Sequence, residues 1–168
     1  MGCDIHAFIE YVYEDDSITN TFCGDEMCFG RDYDLFSLLA GVRGLSSPFV
    51  QPRGFPVADK ATGIYAPNWQ VSEKYSQYGS DAHSATWLTL DELKQIRKLY
   101  IQEKVDYADN IEFEVQEMVK NSNIMNSIFT YSFGELENQG LYLTIAIMES
   151  LLKLNPTIKT RLVCWFDS

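Results

Sequence analysis

Residues 3–13 alternate. Ile5, Ala7, Ile9 and Tyr11 fall on one side of an extended chain, and Asp4, His6, Phe8, Glu10 and Val12 on the other. A period of two with β-branched and aromatic residues predicts a strand. Thr160–Phe166 alternates in the same way and predicts a closing strand. Glu14-Asp15-Asp16-Ser17 reads as a turn, and Thr21–Phe29 is expected to return as a second strand. Asp32 is placed to cap a short helix over Tyr33–Ala40, with Gly41 as its stop and Leu35, Leu38 and Leu39 as its buried stripe. Thr89 and Glu92 form a capping box, so a helix is expected to follow to about Val105. A second helical stretch, Asn110–Ile128, is amphipathic through Ile111, Val115, Met118 and Val119. Leu141–Leu154 is nearly apolar, which predicts a mostly buried helix broken by Asn155-Pro156.

The stretch Gly44–Ser80 shows neither period and carries Pro48, Pro52, Pro56 and Pro67. It is expected to be a long irregular loop, kept ordered by Tyr65, Trp69, Tyr75 and Tyr78. Those rings suit ordinary loop packing or a pocket that stacks on a flat ligand. The element order predicts an α+β fold in a single domain, residues 1–168. Its sheet would be small and mainly antiparallel, with the first and last strands as neighbours and the helices packed on one side.

Length and composition agree with this picture. A chain of 168 residues suits one domain, and one that buries roughly 70% of its unfolded surface needs no disulfide staples. The longest apolar run, Leu141–Ile147, falls well short of the ~20 residues of a membrane span. The N-terminus has no basic-then-apolar signal pattern, and His6 stands where a myristoylation motif wants Ser or Thr. A cytoplasmic protein with reduced thiols is therefore expected. The Cys23/Cys28 spacing is at the loose limit of a zinc knuckle with no second pair, so the cysteines read as small buried hydrophobes. The formal net charge of -11 opposes binding to a long nucleic acid. The acids of 103–117 read as a solvated helix face. A small anionic ligand in a locally basic pocket stays compatible, and Arg31, Arg43 and Arg53 lie in a Gly- and Pro-rich stretch suited to holding phosphate.

The chain has two histidines, and each follows an aspartate by two residues: Asp4/His6 and Asp81/His83. On a strand such a pair shares a face. If the fold brings both pairs together, Asp4, His6, Asp81 and His83 can ligate one divalent ion such as zinc, manganese or iron. Glu10 would then assist as ligand, outer partner or base. The metal-free version uses His6 and His83 as general acid and base. The bland reading has each imidazole satisfied by a local carboxylate or carbonyl. Neither Ser84 nor Cys3 sits in a recognisable nucleophile elbow or thiolate-stabilising motif, so a nucleophile there ranks below.

Several segments resemble a family of uncharacterised proteins from bacteriophages and prophage-bearing bacteria. They are Met1-Gly2-Cys3-Asp4-Ile5-His6, Gly30–Phe36, Leu39–Arg43, Pro52-Arg53-Gly54-Phe55-Pro56, Asp81–Leu93 and Val163–Asp167. The resemblance covers both ends and most of the first 93 residues, but not Lys94–Lys159. It implies an accessory phage protein, acting among the nucleotide signals of bacterial immunity. The expected function is a hydrolase of a small nucleotide phosphodiester or phosphate ester. The alternatives are a module that sequesters an intact nucleotide and an acidic decoy for a host protein. A homo-oligomer is compatible with all three.

Overall fold

The first alternating segment forms strand β1 (Asp4–Val12) in the computed structural model, which describes residues 2–14, 18–121 and 137–167, with backbone alone for 108–121. The closing segment forms β4 (Lys159–Asp167), and the two pair antiparallel from Asp4↔Asp167 to Val12↔Lys159. The terminal strands are neighbours, as the alternation predicted. A short β2 (Thr19–Thr21) pairs with the far end of β1. It begins earlier than expected and is much shorter. The chain beyond it still follows β1, with the Phe22 and Met27 amides donating to the Ile9 and Ala7 carbonyls at 3.0 and 2.8 Å. The turn expected over Glu14–Ser17 reaches beyond the described residues.

The fourth strand, β3 (His83–Leu88), lies between the irregular stretch and the capped helix, where the sequence pattern predicted no element. It pairs with β4, and the sheet order is β2-β1-β4-β3. A bulge hides it from a period-two reading. His83 pairs with Phe166 and Thr86 with Cys164, so three steps along β3 match two along β4. The dislocation is local to Ser84, whose φ is 50°.

Helix α1 (Tyr33–Ala40) has the expected ends: Asp32 accepts the Leu35 amide at 3.1 Å, and Gly41 adopts φ 70°. The Thr89/Glu92 capping box forms, with the Thr89 amide 2.9 Å from Glu92 Oε2. It starts α3 (Leu90–Asn121), one continuous helix where two were expected. Residues 106–109 contain neither Gly nor Pro, so nothing breaks it there. The expectation for residues 122–128 lies outside the described residues, as do the side chains of Ile111, Val115, Met118 and Val119. Helix α4 (Gln139–Leu154) ends before Pro156.

Three of these helices pack on one face of the sheet. Leu35, Phe36 and Leu39 of α1, Leu93 and Ile96 of α3, and Leu141 and Met148 of α4 meet Ala7, Ile9, Leu162, Cys164 and Phe166. The opposite face is covered too, by part of the presumed loop. Asn68 caps a helix over Trp69–Tyr78, here α2, through the Gln70 amide at 2.9 Å. Val71, Tyr75, Tyr78 and Phe55 pack there on Phe8, Val163 and Trp165. Covering both faces explains why Arg161–Phe166 are all buried.

Polar side chains fasten that second cover. Glu10 and Arg161 are cross-strand partners with 0% and 2% exposure. Arg161 donates to Glu10 Oε2 at 2.7 and 2.8 Å and to the Tyr65 carbonyl at 3.0 Å. The Asn68 amide donates to Glu10 Oε1 at 2.8 Å. Each oxygen of the carboxylate has a donor, which offsets part of the cost of burying a charge, although burial still leaves the Glu10 carboxyl above its ordinary value. No helix among the described residues is long and apolar enough to cross a membrane.

Candidate functional site

The register decides where the two imidazoles point. Directly paired residues of an antiparallel sheet share a face, and successive residues alternate. His6 pairs with Trp165, while His83 pairs with the next residue, Phe166. The two rings therefore leave opposite faces of the sheet. Their stacking agrees: His6 lies 5.5 Å from the Trp165 ring, and His83 lies 6.2 Å from Phe166. The shared cavity expected from the two Asp-x-His pairs does not form. The Ser84 bulge is the cause, because it sets the register of His83 apart from a straight strand.

The other expected site residues scatter accordingly. Asp81 ends an exposed single-turn 3₁₀ helix, Gly79–Asp81. Asp4 is gripped by Arg31 at 2.6 and 2.8 Å. The hydrogen bonds from Arg31 hold the Asp4 carboxyl below its ordinary range. Arg53 forks onto Glu92 at 2.5 and 2.9 Å and lies over the Trp87 ring, so it too serves a carboxylate. Glu10 is sealed in the Arg161 pair, out of reach of either histidine's neighbourhood. Among the described residues, no three His, Cys, Asp or Glu side chains converge as they stand to hold a metal ion.

Around His6 the structure gathers residues that no local pattern announced. Both Glu26 oxygens lie 3.2 Å from Nδ1, and the Tyr78 hydroxyl lies 3.2 Å from the same nitrogen. Lys74 pairs with Glu26 at 2.5 Å. On the other side of the ring, Nε2 is buried without a hydrogen-bond partner among the described residues. It faces Asp167 Oδ2 at 3.6 Å. Burial, then the charges of Glu26 and Asp167, push the Tyr78 phenol above its ordinary value.

On the opposite face His83 meets Cys3. The Sγ–Nε2 distance is 4.0 Å. The positive charge of Arg43 acts on the same sulfur and favours its ionised form. His83 Nδ1 sits 3.2 Å from Ser84 Oγ. Burial is the largest influence on Cys3 and, despite Arg43, leaves its thiol above the ordinary value. Three non-glycine residues among those described have positive φ: Cys23, Arg43 and Ser84. Two of these three belong to this cluster, and such conformations persist only where the surroundings impose them. Cys23 and Cys28 are exposed and Cys3 and Cys164 are buried, so only the latter two match the small-hydrophobe expectation.

A third feature is an open groove of about 440 Å³ lined by Arg31, Asp32, Tyr33, Asp34, Tyr100 and Lys104. It contains neither histidine. Its charges are largely satisfied internally, through Lys104–Asp34 at 2.5 Å and Tyr100–Asp32 at 2.6 Å.

Compared with known proteins, the chain matches no family model, no curated protein and no solved structure. The chemistry of the residues is what carries a functional reading.

Sequence reasoning named His6, His83 and Arg43 but missed their partners. Glu26 is a long-range contact without a local signature. Asp167 was within reach of inference, since an in-register pairing of the terminal strands sets it opposite Asp4. The Cys3–His83 contact needs both the fold and the bulge.

Proposed function

We propose that the protein is a hydrolase of small phosphate esters, with Cys3 as nucleophile, His83 as proton carrier and Arg43 as phosphate clamp. The observation that carries this reading is the approach of His83 Nε2 to Cys3 Sγ, 4.0 Å, with the charge of Arg43 acting on the same sulfur. The imidazole beside the thiol gives the protonated sulfur a general base that can take its proton as attack proceeds. A guanidinium there supplies the bidentate donors that phosphate oxygens take. Arg31 and Arg53 are occupied by Asp4 and Glu92, which leaves Arg43 as the phosphate ligand among the three arginines singled out from the sequence. The acidic exterior turns away long nucleic acids and admits a small nucleotide.

The reaction has two steps. His83 takes the thiol proton, the sulfur attacks phosphorus, and the ester oxygen leaves with the proton that His83 carried. Water then cleaves the phosphocysteine, its hydroxyl going to phosphorus and its other proton passing through His83 to the sulfur. Ser84 positions the ring from Nδ1. Cys3 is fully buried while Arg43 is exposed, so the reaction requires the cover over the sulfur to open and admit the phosphate.

The test is turnover of a panel of nucleoside phosphates, cyclic dinucleotides and an aryl phosphate, read as released phosphate or cleaved product. Cys3→Ser, His83→Ala and Arg43→Ala each lower kcat/KM by about 100-fold or more. Arg53→Ala stays within about threefold, because its guanidinium serves Glu92 and not the substrate. Release of unchanged nucleotide from heat-denatured complex, without turnover, overturns the hydrolase and identifies a sequestering protein.

A further inference from the structure

The His6 face poses a problem of its own. Glu26 presents only acceptors to Nδ1, which favours the tautomer with the ring proton there. A neutral imidazole then has a bare lone pair at Nε2. That lone pair is buried, has no hydrogen-bond partner, and faces a carboxylate oxygen at 3.6 Å. Two acceptors turned on each other repel unless a positive charge lies between them. The separation is long for a hydrogen bond. It suits two ligands of one ion, since bonds of roughly 2.0–2.1 Å meeting at a tetrahedral or wider angle set their donor atoms roughly 3.3–3.6 Å apart.

A third donor stands in the right place. Asp4 is the direct cross-strand partner of Asp167 and lies two residues before His6, so all three leave the same sheet face at the same end. Its carboxylate is now gripped by Arg31, and both members of that pair are more than half exposed. Exposed ion pairs are weak and easily exchanged. Glu26 on Nδ1 is the outer carboxylate that orients a metal-bound histidine and raises its basicity.

We propose that His6 Nε2, Asp167 and Asp4 form a site for a divalent first-row transition ion such as zinc or manganese, with Glu26 as its outer-shell partner and Arg31 as a competitor for Asp4. One nitrogen and two carboxylate oxygens suit these ions. The site keeps one of the two Asp-x-His pairs read from the sequence and replaces the other with Asp167. It lies across the sheet from Cys3 and His83 and does not depend on the hydrolase reading.

The experiment is calorimetric titration of chelator-stripped full-length protein with zinc, alongside cobalt(II) absorption. One equivalent binds, and cobalt gives visible bands without the near-ultraviolet sulfur-to-cobalt band that the exposed Cys23 and Cys28 would produce. Asp167→Asn weakens binding about 100-fold. Glu26→Gln weakens it by about 10–100-fold. Arg31→Ala tightens it about 10-fold by freeing Asp4, a gain that a merely structural arginine would not give. Asp167 and Asp4 are partly exposed, so these variants keep the fold, and circular dichroism verifies it. No binding at millimolar metal means that the charge between Nε2 and Asp167 is a proton, and the proposal fails. Binding that persists in Asp167→Asn, or that shows the sulfur band, overturns it equally.

Discussion

Glu10 and His6 leave the same face of β1 four residues apart, and their surroundings differ in kind. Glu10 sits two residues from the Val12 end of β1, beside Tyr65 and Asn68, with a donor on each carboxylate oxygen and no exposure. His6 sits two residues from the Asp4 end, with one nitrogen held by Glu26 and the other without a hydrogen bond among the described residues. The first is a fastening that closes the second layer over the sheet. The second is an incomplete polar centre at the layer's open end. The difference teaches that an ionisable residue on a strand face is not by itself a site. What matters is whether its neighbours exhaust its bonding capacity.

The largest effect should come from breaking the fastening. Glu10→Ala strands Arg161 in the interior and should cost about 3–5 kcal/mol in denaturant unfolding. Replacing both by apolar residues of similar size should cost far less than either single change, because no unpaired charge remains. Equal losses from the double and single variants would erase the contrast with His6. At the open end the expectation reverses. Lys74→Ala, which touches Glu26 at the surface, should change stability by less than ~0.5 kcal/mol in the same assay.

Between these extremes stands the Glu92 carboxylate. Burial, the largest influence on it, works to raise its pKa, yet the hydrogen bonds from Arg53 and Thr89 hold it below its ordinary value. A carboxyl lowered on folding adds stability above its unfolded pKa and loses it as pH falls through the folded one. Glu92→Gln should therefore cost about 1 kcal/mol at neutral pH, the scale of a lost cap. It should also flatten the fall in stability below about pH 4.5, as followed by urea midpoints. A midpoint difference that stays constant down to pH 3 would contradict this.

The same contrast explains what the sequence disclosed. Features set by neighbours in the chain were legible: Asp32 and Gly41 at the ends of α1, Thr89 and Glu92 at the start of α3, and the alternation of β1 and β4. Features set by distant packing were not. Helix α2 follows an Asn cap just after Pro67 and buries only one residue fully, Val71, so its apolar stripe is faint. The rest of its grip is aromatic, through Tyr75 and Tyr78 against Trp165. Strand β3 lost its alternation to one left-handed residue, Ser84. That same residue moved His83 from the expected shared cavity to Cys3. The candidate site was thus half legible, in the identity of His6, His83 and Arg43 and not in their grouping.

The central claim is that the two imidazoles belong to separate chemistries on opposite faces of one sheet end. Long-range nitrogen–proton NMR of the two histidine rings tests it directly, with inorganic phosphate and zinc added in turn. The account predicts that phosphate, held by Arg43, moves the His83 signals and leaves those of His6 in place, while zinc does the reverse. Both rings responding to the same addition, or His83 remaining still in saturating phosphate, would contradict it.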